Sequence, residues 1–101
     1  MRGLIVGRYT NEMEEKINKI INDYKLYQDI TVEKRIDSVQ GIKVYFSNGD
    51  FWETIKYSPS LMHIRGRRVN LIYIDRTIPE EDIPSFKACC TAPPYQGYYF
   101  F

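Results

Sequence analysis

Apolar residues open the chain as an unbroken run, Leu4-Ile5-Val6, and then return at helical spacing as Met13, Ile17, Ile20, Ile21 and Tyr24. An unbroken run suits a strand buried on both faces. The spaced set makes one stripe along a helix over roughly residues 11–27. Thr10 or Asn11 offers an N-terminal cap, and Asn11, followed by Glu14 three residues on, fits the reciprocal pattern. Glu12, Glu14 and Glu15 precede Lys16, Lys19 and Lys25, the order that the helix dipole favours.

Beyond the helix the pattern changes to strands. Residues 30–36, 42–46 and 51–57 are rich in β-branched and aromatic residues, with Asn48-Gly49 between the last two. A two-residue type I′ hairpin turn places both central residues at positive φ, so valine at Gly49 should be costly and serine at Asp50 harmless. Ser58-Pro59-Ser60 breaks the third strand, and the basic stretch Arg65-Gly66-Arg67-Arg68 leads into an apolar run at residues 69–74 that ends on Asp75. Pro79-Glu80-Glu81-Asp82 reads as the acidic first turn of a short helix. Residues 91–101 form a tail with Pro93-Pro94 and an aromatic end, Tyr98, Tyr99, Phe100 and Phe101. The expected fold is α/β in the α+β sense: a small mixed sheet of about five strands, one long helix on one face and a short C-terminal helix. The most apolar strands, residues 4–6 and 69–74, belong at its centre.

A chain of 101 residues is expected to form a single domain, residues 1–101, with one core. Net charge is +1, so no global field draws the chain to nucleic acid or to a membrane. The apolar run near Met1 is too short for a signal peptide, and no run approaches the ~20 residues of a membrane span. Cys89 and Cys90 are sequence neighbours, unsuited to a useful disulfide, and read as reduced thiols in a cytoplasmic setting.

Residues 44–75 resemble the ATPase core of phage terminase large subunits. The resemblance rests on Val44-Tyr45-Phe46-Ser47-Asn48-Gly49, then Ile64-Arg65-Gly66-Arg67-Arg68, then Val69-Asn70-Leu71-Ile72-Tyr73-Ile74-Asp75; residues 4–21 look like the upstream strand and helix. It implies a phage or mobile-element source, hence a host-cell cytoplasmic location, and it puts Asp75 where magnesium would be held. The departures are the absent phosphate loop, since no glycine precedes a lysine, and Arg76 in place of the glutamate that would polarise water. ATP hydrolysis is therefore not expected.

No other constellation carries chemistry. His63 is the sole histidine, and with Cys89 or Cys90 it lacks the spacing of a zinc site. Glu80, Glu81 and Asp82 are a solvated helix start, and Ala92-Pro93-Pro94-Tyr95 lacks the spacing of a Pro-Pro-x-Tyr ligand. No catalytic residue, metal or cofactor is expected. Two features suit a partner: Arg65, Gly66, Arg67 and Arg68, whose guanidiniums grip phosphates or carboxylates, and Tyr98, Tyr99, Phe100 and Phe101, which must fold back, cover another subunit or meet a partner. The leading expectation is a non-catalytic phage-type accessory protein that binds a host protein, in one version as inhibitor of a defence enzyme such as a CRISPR nuclease. The alternatives are a nucleic-acid or nucleotide-phosphate binder using the Arg65–Arg68 loop, and an enzyme with an unrecognised site. A homo-oligomer is open, and no membrane partner is expected.

Overall fold

The apolar run at residues 4–6 becomes the centre of the molecule. In the computed structural model, which describes residues 1–58, 68–90, 93 and 96–101, it lies in strand β1 (Arg2–Gly7), with Leu4, Ile5 and Val6 fully buried. β1 pairs in parallel with β4 (Phe51–Lys56) on one side and β5 (Leu71–Ile74) on the other. Strands β3 (Gly41–Phe46) and β2 (Val32–Ser38) continue antiparallel beyond β4, and β6 (Gly97–Phe100) lies parallel beyond β5. The sheet order is β2-β3-β4-β1-β5-β6. The expected mixed sheet is present, with six strands rather than about five; β1 is central as expected, while β5 lies next to the edge strand β6. The additional strand is the aromatic tail.

Alternation along β1 divides the core in two. Ile5 faces helix α1 (Thr10–Gln28) together with Met13, Ile17, Ile20, Tyr24, Val44, Phe46, Trp52 and Leu71. Leu4 and Val6 face the other way, where Ile55, Ile72, Ile74 and Ile78 meet Phe86 of α2 (Ile83–Lys87). A 3-10 turn at Glu80–Asp82 runs into α2, so Pro79 caps that turn instead of opening an α-helix. The acidic residues do lie in the first turn, as expected.

α1 begins before either expected cap, Thr10 or Asn11. Tyr9, in extended backbone and without a side-chain cap, precedes Thr10, and Asn11 is an exposed residue within the helix. Only Arg8 and Tyr9 connect β1 to α1, so the chain must turn at once to lay its stripe on the sheet. Burying each large side chain contributes ~1.5–3 kcal/mol, against ~1 kcal/mol for one cap. At the other end Asp29 adopts φ 54, and its N–H donates to Lys25 O. Among the described residues no helix is long and apolar enough to cross a membrane.

The β3–β4 hairpin differs from the expected type I′ turn. Gly49 has φ 92, while Asn48 is not among the residues at positive φ. Gly49 N–H donates to Phe46 O at 3.0 Å, Phe46 N–H donates to Asp50 O at 2.9 Å, and Asn48 accepts from Asp50 N–H at 3.0 Å. A turn over Phe46-Ser47-Asn48-Gly49 is thus closed by a left-handed glycine. Open space surrounds Gly49, so a side chain there meets only backbone strain. Gly49→Val should lower stability by ~1–2 kcal/mol in urea denaturation, and Gly49→Asn by less, because asparagine tolerates positive φ. Equal stability of wild type and Gly49→Val would show that the turn takes another form. The harmlessness expected of Asp50→Ser is overturned: Asp50 binds the Met1 amine at 2.8 Å and the Tyr24 hydroxyl at 2.6 Å.

Candidate functional site

Two groups of residues were expected to meet a partner, and the fold treats them differently. Arg65, Gly66 and Arg67 lie outside the described residues, as does His63; Arg68 is exposed just before β5. The aromatic tail folds back onto the domain as edge strand β6.

β6 is held by main-chain bonds at both ends. Gln96 N–H donates to Asn70 O at 2.8 Å, Phe101 N–H to Ile74 O at 3.0 Å, and Arg76 N–H to Phe101 O at 3.0 Å. Side chains then alternate. Tyr99 lies beside Tyr73 on the α1 side, with ring centroids 5.8 Å apart, and Phe101 packs into the core there. Tyr98 and Phe100 meet edge to face at 5.9 Å, and the Lys87 ammonium of α2 sits 4.2 Å from the Tyr98 ring. Burial first, then the neighbouring Tyr99, pushes the Tyr73 phenol above its usual range, so it stays neutral. Even so packed, Tyr98, Tyr99 and Phe100 remain 39%, 53% and 45% exposed. Among the described residues no strand pairs with the outer side of β6.

The opposite edge is built otherwise. β2 presents Glu33, Lys34, Arg35 and Asp37, and its register with β3 shifts between Val32 and Lys34. Charges and bulges on an edge discourage further strand pairing. β6 carries neither device.

Ligands of α/β proteins commonly bind at the carboxyl ends of the parallel strands. Asp75, in the place that the terminase resemblance assigns to a magnesium ligand, lies there, 3% exposed and already engaged. Its Oδ1 accepts from the Thr77 N–H at 2.9 Å and the Thr77 hydroxyl at 2.7 Å, and its Oδ2 from the Arg8 N–H at 3.4 Å. Burial pushes this carboxyl up, but those bonds and the Arg8 charge outweigh it and hold it below the usual carboxylate range. Asp75 therefore ties the loop after β5 to the end of β1. Asp75 lines a cleft of about 490 Å³ with Lys16, Thr77 and Phe101. A separate cleft of about 630 Å³ is lined by Arg8, Tyr9, Tyr57 and Asp82; the Arg8 guanidinium lies 5.3 Å over the Tyr57 ring, and the Tyr57 hydroxyl donates to Asp82. Cys89 is buried, and burial raises the Cys90 thiol, with Cys89 beside it adding to the effect. Among the described residues no three His, Cys, Asp or Glu side chains converge as metal ligands.

One arrangement escaped the sequence reading. Lys34, Tyr45, Phe51 and Arg2 stand in register across β2, β3, β4 and β1. Alternation in Ile42-Lys43-Val44-Tyr45-Phe46 was the available signal: Ile42, Val44 and Phe46 are buried, so Lys43 and Tyr45 face solvent.

No protein-family model and no curated protein matches the sequence. Among solved structures the fold is similar to part of the large terminase from a thermophilic bacteriophage, with a TM-score of 0.64 at 13% identity. That likeness covers 98% of this chain and 25% of the terminase chain, so the terminase resemblance read from the sequence holds at the level of fold.

Proposed function

We propose that this chain is a small non-catalytic accessory protein of phage type that binds a host protein, with β6 as its docking edge. The observation that carries this reading is the exposure of Tyr98, Tyr99 and Phe100 on an uncharged edge strand beyond which no strand lies among the described residues. The likeness to a bacteriophage terminase supports the phage side of the reading. An extended partner segment would add to β6 through main-chain hydrogen bonds, with Tyr98 and Phe100 gripping it on one face and Tyr99 on the other. Aromatic side chains anchor such contacts because they bury much area at low entropic cost. In its narrowest form the partner is a host defence enzyme, and the bound chain inhibits it.

The test is affinity purification of the tagged chain from cells that express it. The comparison set is the wild type, Tyr99→Lys, the pair Tyr98→Lys/Phe100→Lys, and Tyr27→Lys on exposed α1 surface, each checked for folding by circular dichroism. Truncating one anchor costs ~2 kcal/mol or more, so recovery of a specific partner should fall over tenfold in both β6 variants and persist in Tyr27→Lys. A partner retained equally by folded β6 variants would sink the reading, as would recovery of no specific protein by the wild type.

A further inference from the structure

We propose a second binding surface, separate from β6: the solvent face of β2, β3, β4 and β1 is a stacking platform for single-stranded nucleic acid. The argument starts from register. Lys34 pairs with Tyr45, Tyr45 with Phe51, and Phe51 with Arg2, so one row across four strands reads cation, aromatic, aromatic, cation. All four side chains point away from α1. Val44 and Phe46, the neighbours of Tyr45, fill the α1 core, while Leu4, two residues from Arg2, fills the opposite one. Among the described residues that opposite core centres on β1, β5 and α2, and on the antiparallel half of the same face Arg2, Lys34, Lys43 and Tyr45 are exposed.

The rings are placed for stacking. Tyr45 and Phe51 have centroids 4.7 Å apart at an interplanar angle of 33°, and Tyr45 is 39% exposed. The Arg2 guanidinium carbon lies 5.8 Å from the Phe51 centroid, which holds that charge at one end of the row. With strands ~4.8 Å apart, Lys34 and Arg2 stand ~14 Å from one another across the rings. Lys43, paired with Glu53 in the next row, adds a third exposed cation on this face. A cleft of about 450 Å³ opens beside Lys34, Tyr45 and Gly49.

The local charge is positive although the chain is nearly neutral. Of the carboxylates nearby, Asp50 is taken by the Met1 amine and Tyr24, and Glu53 is buried with a polar partner of its own. Asp37 is bonded to Arg35 on the α1 side. Glu33 remains at the rim of the cleft, against Arg2, Lys34 and Lys43.

The ligand class follows from these parts. Aromatic rings on the open face of a sheet accept unstacked bases, and flanking cations track the phosphates. Duplex bases lie stacked on each other ~3.4 Å apart and cannot lie on protein rings without being splayed out. A protein partner fits less well, since lysine is depleted from protein interfaces and this face presents two. The platform reads no particular sequence, because every base offers a π face.

The test is fluorescence anisotropy of labelled oligo-dT, oligo-U and a duplex of the same length, titrated with the intact chain at low salt. Binding of a single strand is expected in the micromolar range, and the DNA and RNA arms show which strand is preferred. Single strands contribute about 0.7 to the salt slope per neutralised phosphate, so log K against log salt should fall with a slope of about −2 for three cations. Tyr45→Ala should weaken binding at least fivefold, Tyr45→Phe should hold it within twofold, and Tyr27→Ala should leave it unchanged. Lys34→Gln with Lys43→Gln should bring the slope to about −0.7. The proposal is overturned by absence of binding up to about 100 µM, the weak end of ordinary non-specific affinity. Equal affinity for the duplex, or unchanged binding by folded Tyr45→Ala, overturns it as well.

Discussion

Gly3→Ala is expected to destabilise the chain by ~3 kcal/mol, the top of the usual range for overpacking a core. A Cβ at Gly3 would sit 2.3 to 2.4 Å from three atoms of the Trp52 indole. Trp52 pairs with Gly3 across β4 and β1, and its ring lies over the glycine and within 5.9 Å of the Tyr73 ring on β5. It has little freedom to move away. Trp52 is buried, and its indole N–H donates to the Tyr24 hydroxyl at 3.2 Å. Alanine must therefore displace the ring, break that bond or part the central strands. For a domain of this size the melting temperature should fall by more than about 10 °C. In a Trp52→Leu background the same substitution should cost far less, because the ring it collides with is gone; the difference is the coupling energy of the pair. A Gly3→Ala protein within ~0.5 kcal/mol of wild type would mean that the indole relocates freely.

Asp50→Ser should lose ~2 kcal/mol at neutral pH, and the loss should shrink in acid. Asp50 accepts from the Met1 amine at 2.8 Å and the Tyr24 hydroxyl at 2.6 Å, and that hydroxyl accepts from the Trp52 indole. Serine is too short to reach these groups, and leaving a buried donor unmade costs ~1–3 kcal/mol. Burial raises the Asp50 carboxyl, but the bonds from the amine, Tyr24 and Asn48 outweigh it, and the net value lies below the usual carboxylate range. A carboxyl depressed on folding contributes stability that is fully present above its unfolded value of about 4 and is lost as pH falls through the lower folded value. The gap between wild type and Asp50→Ser should therefore be flat from about pH 7 to about pH 5 and narrow below about pH 4. Burial, and then the bond to Asp50, pushes the Tyr24 phenol well above its ordinary value, so it stays a donor across that window. Urea denaturation at each pH measures the gap. A gap of under ~0.5 kcal/mol at about pH 7, or one that widens in acid, would contradict this account.

The sequence by itself settled the elements whose cause is local. Hydrophobic period decided that residues 4–6 form a buried strand and that Met13, Ile17, Ile20 and Tyr24 form the inner stripe of α1. Alternation and glycine placement decided that β3 and β4 make a hairpin closed at Gly49. Both follow from backbone geometry that any neighbour in space would respect. Tertiary structure decided what depends on residues far apart in the chain. The tail became a strand because β5 offered Gly97, Tyr98, Tyr99 and Phe100 an unpaired edge, which no local signal near the prolines announces. Asp50 passed from turn residue to partner of Tyr24 because strand order brings α1 over the hairpin. Asp75, acidic at a strand end as a metal ligand would be, was instead absorbed by Thr77 and Arg8. The row of Lys34, Tyr45, Phe51 and Arg2 exists only once four strands are in register, since a shift of one residue would turn each side chain to the other face.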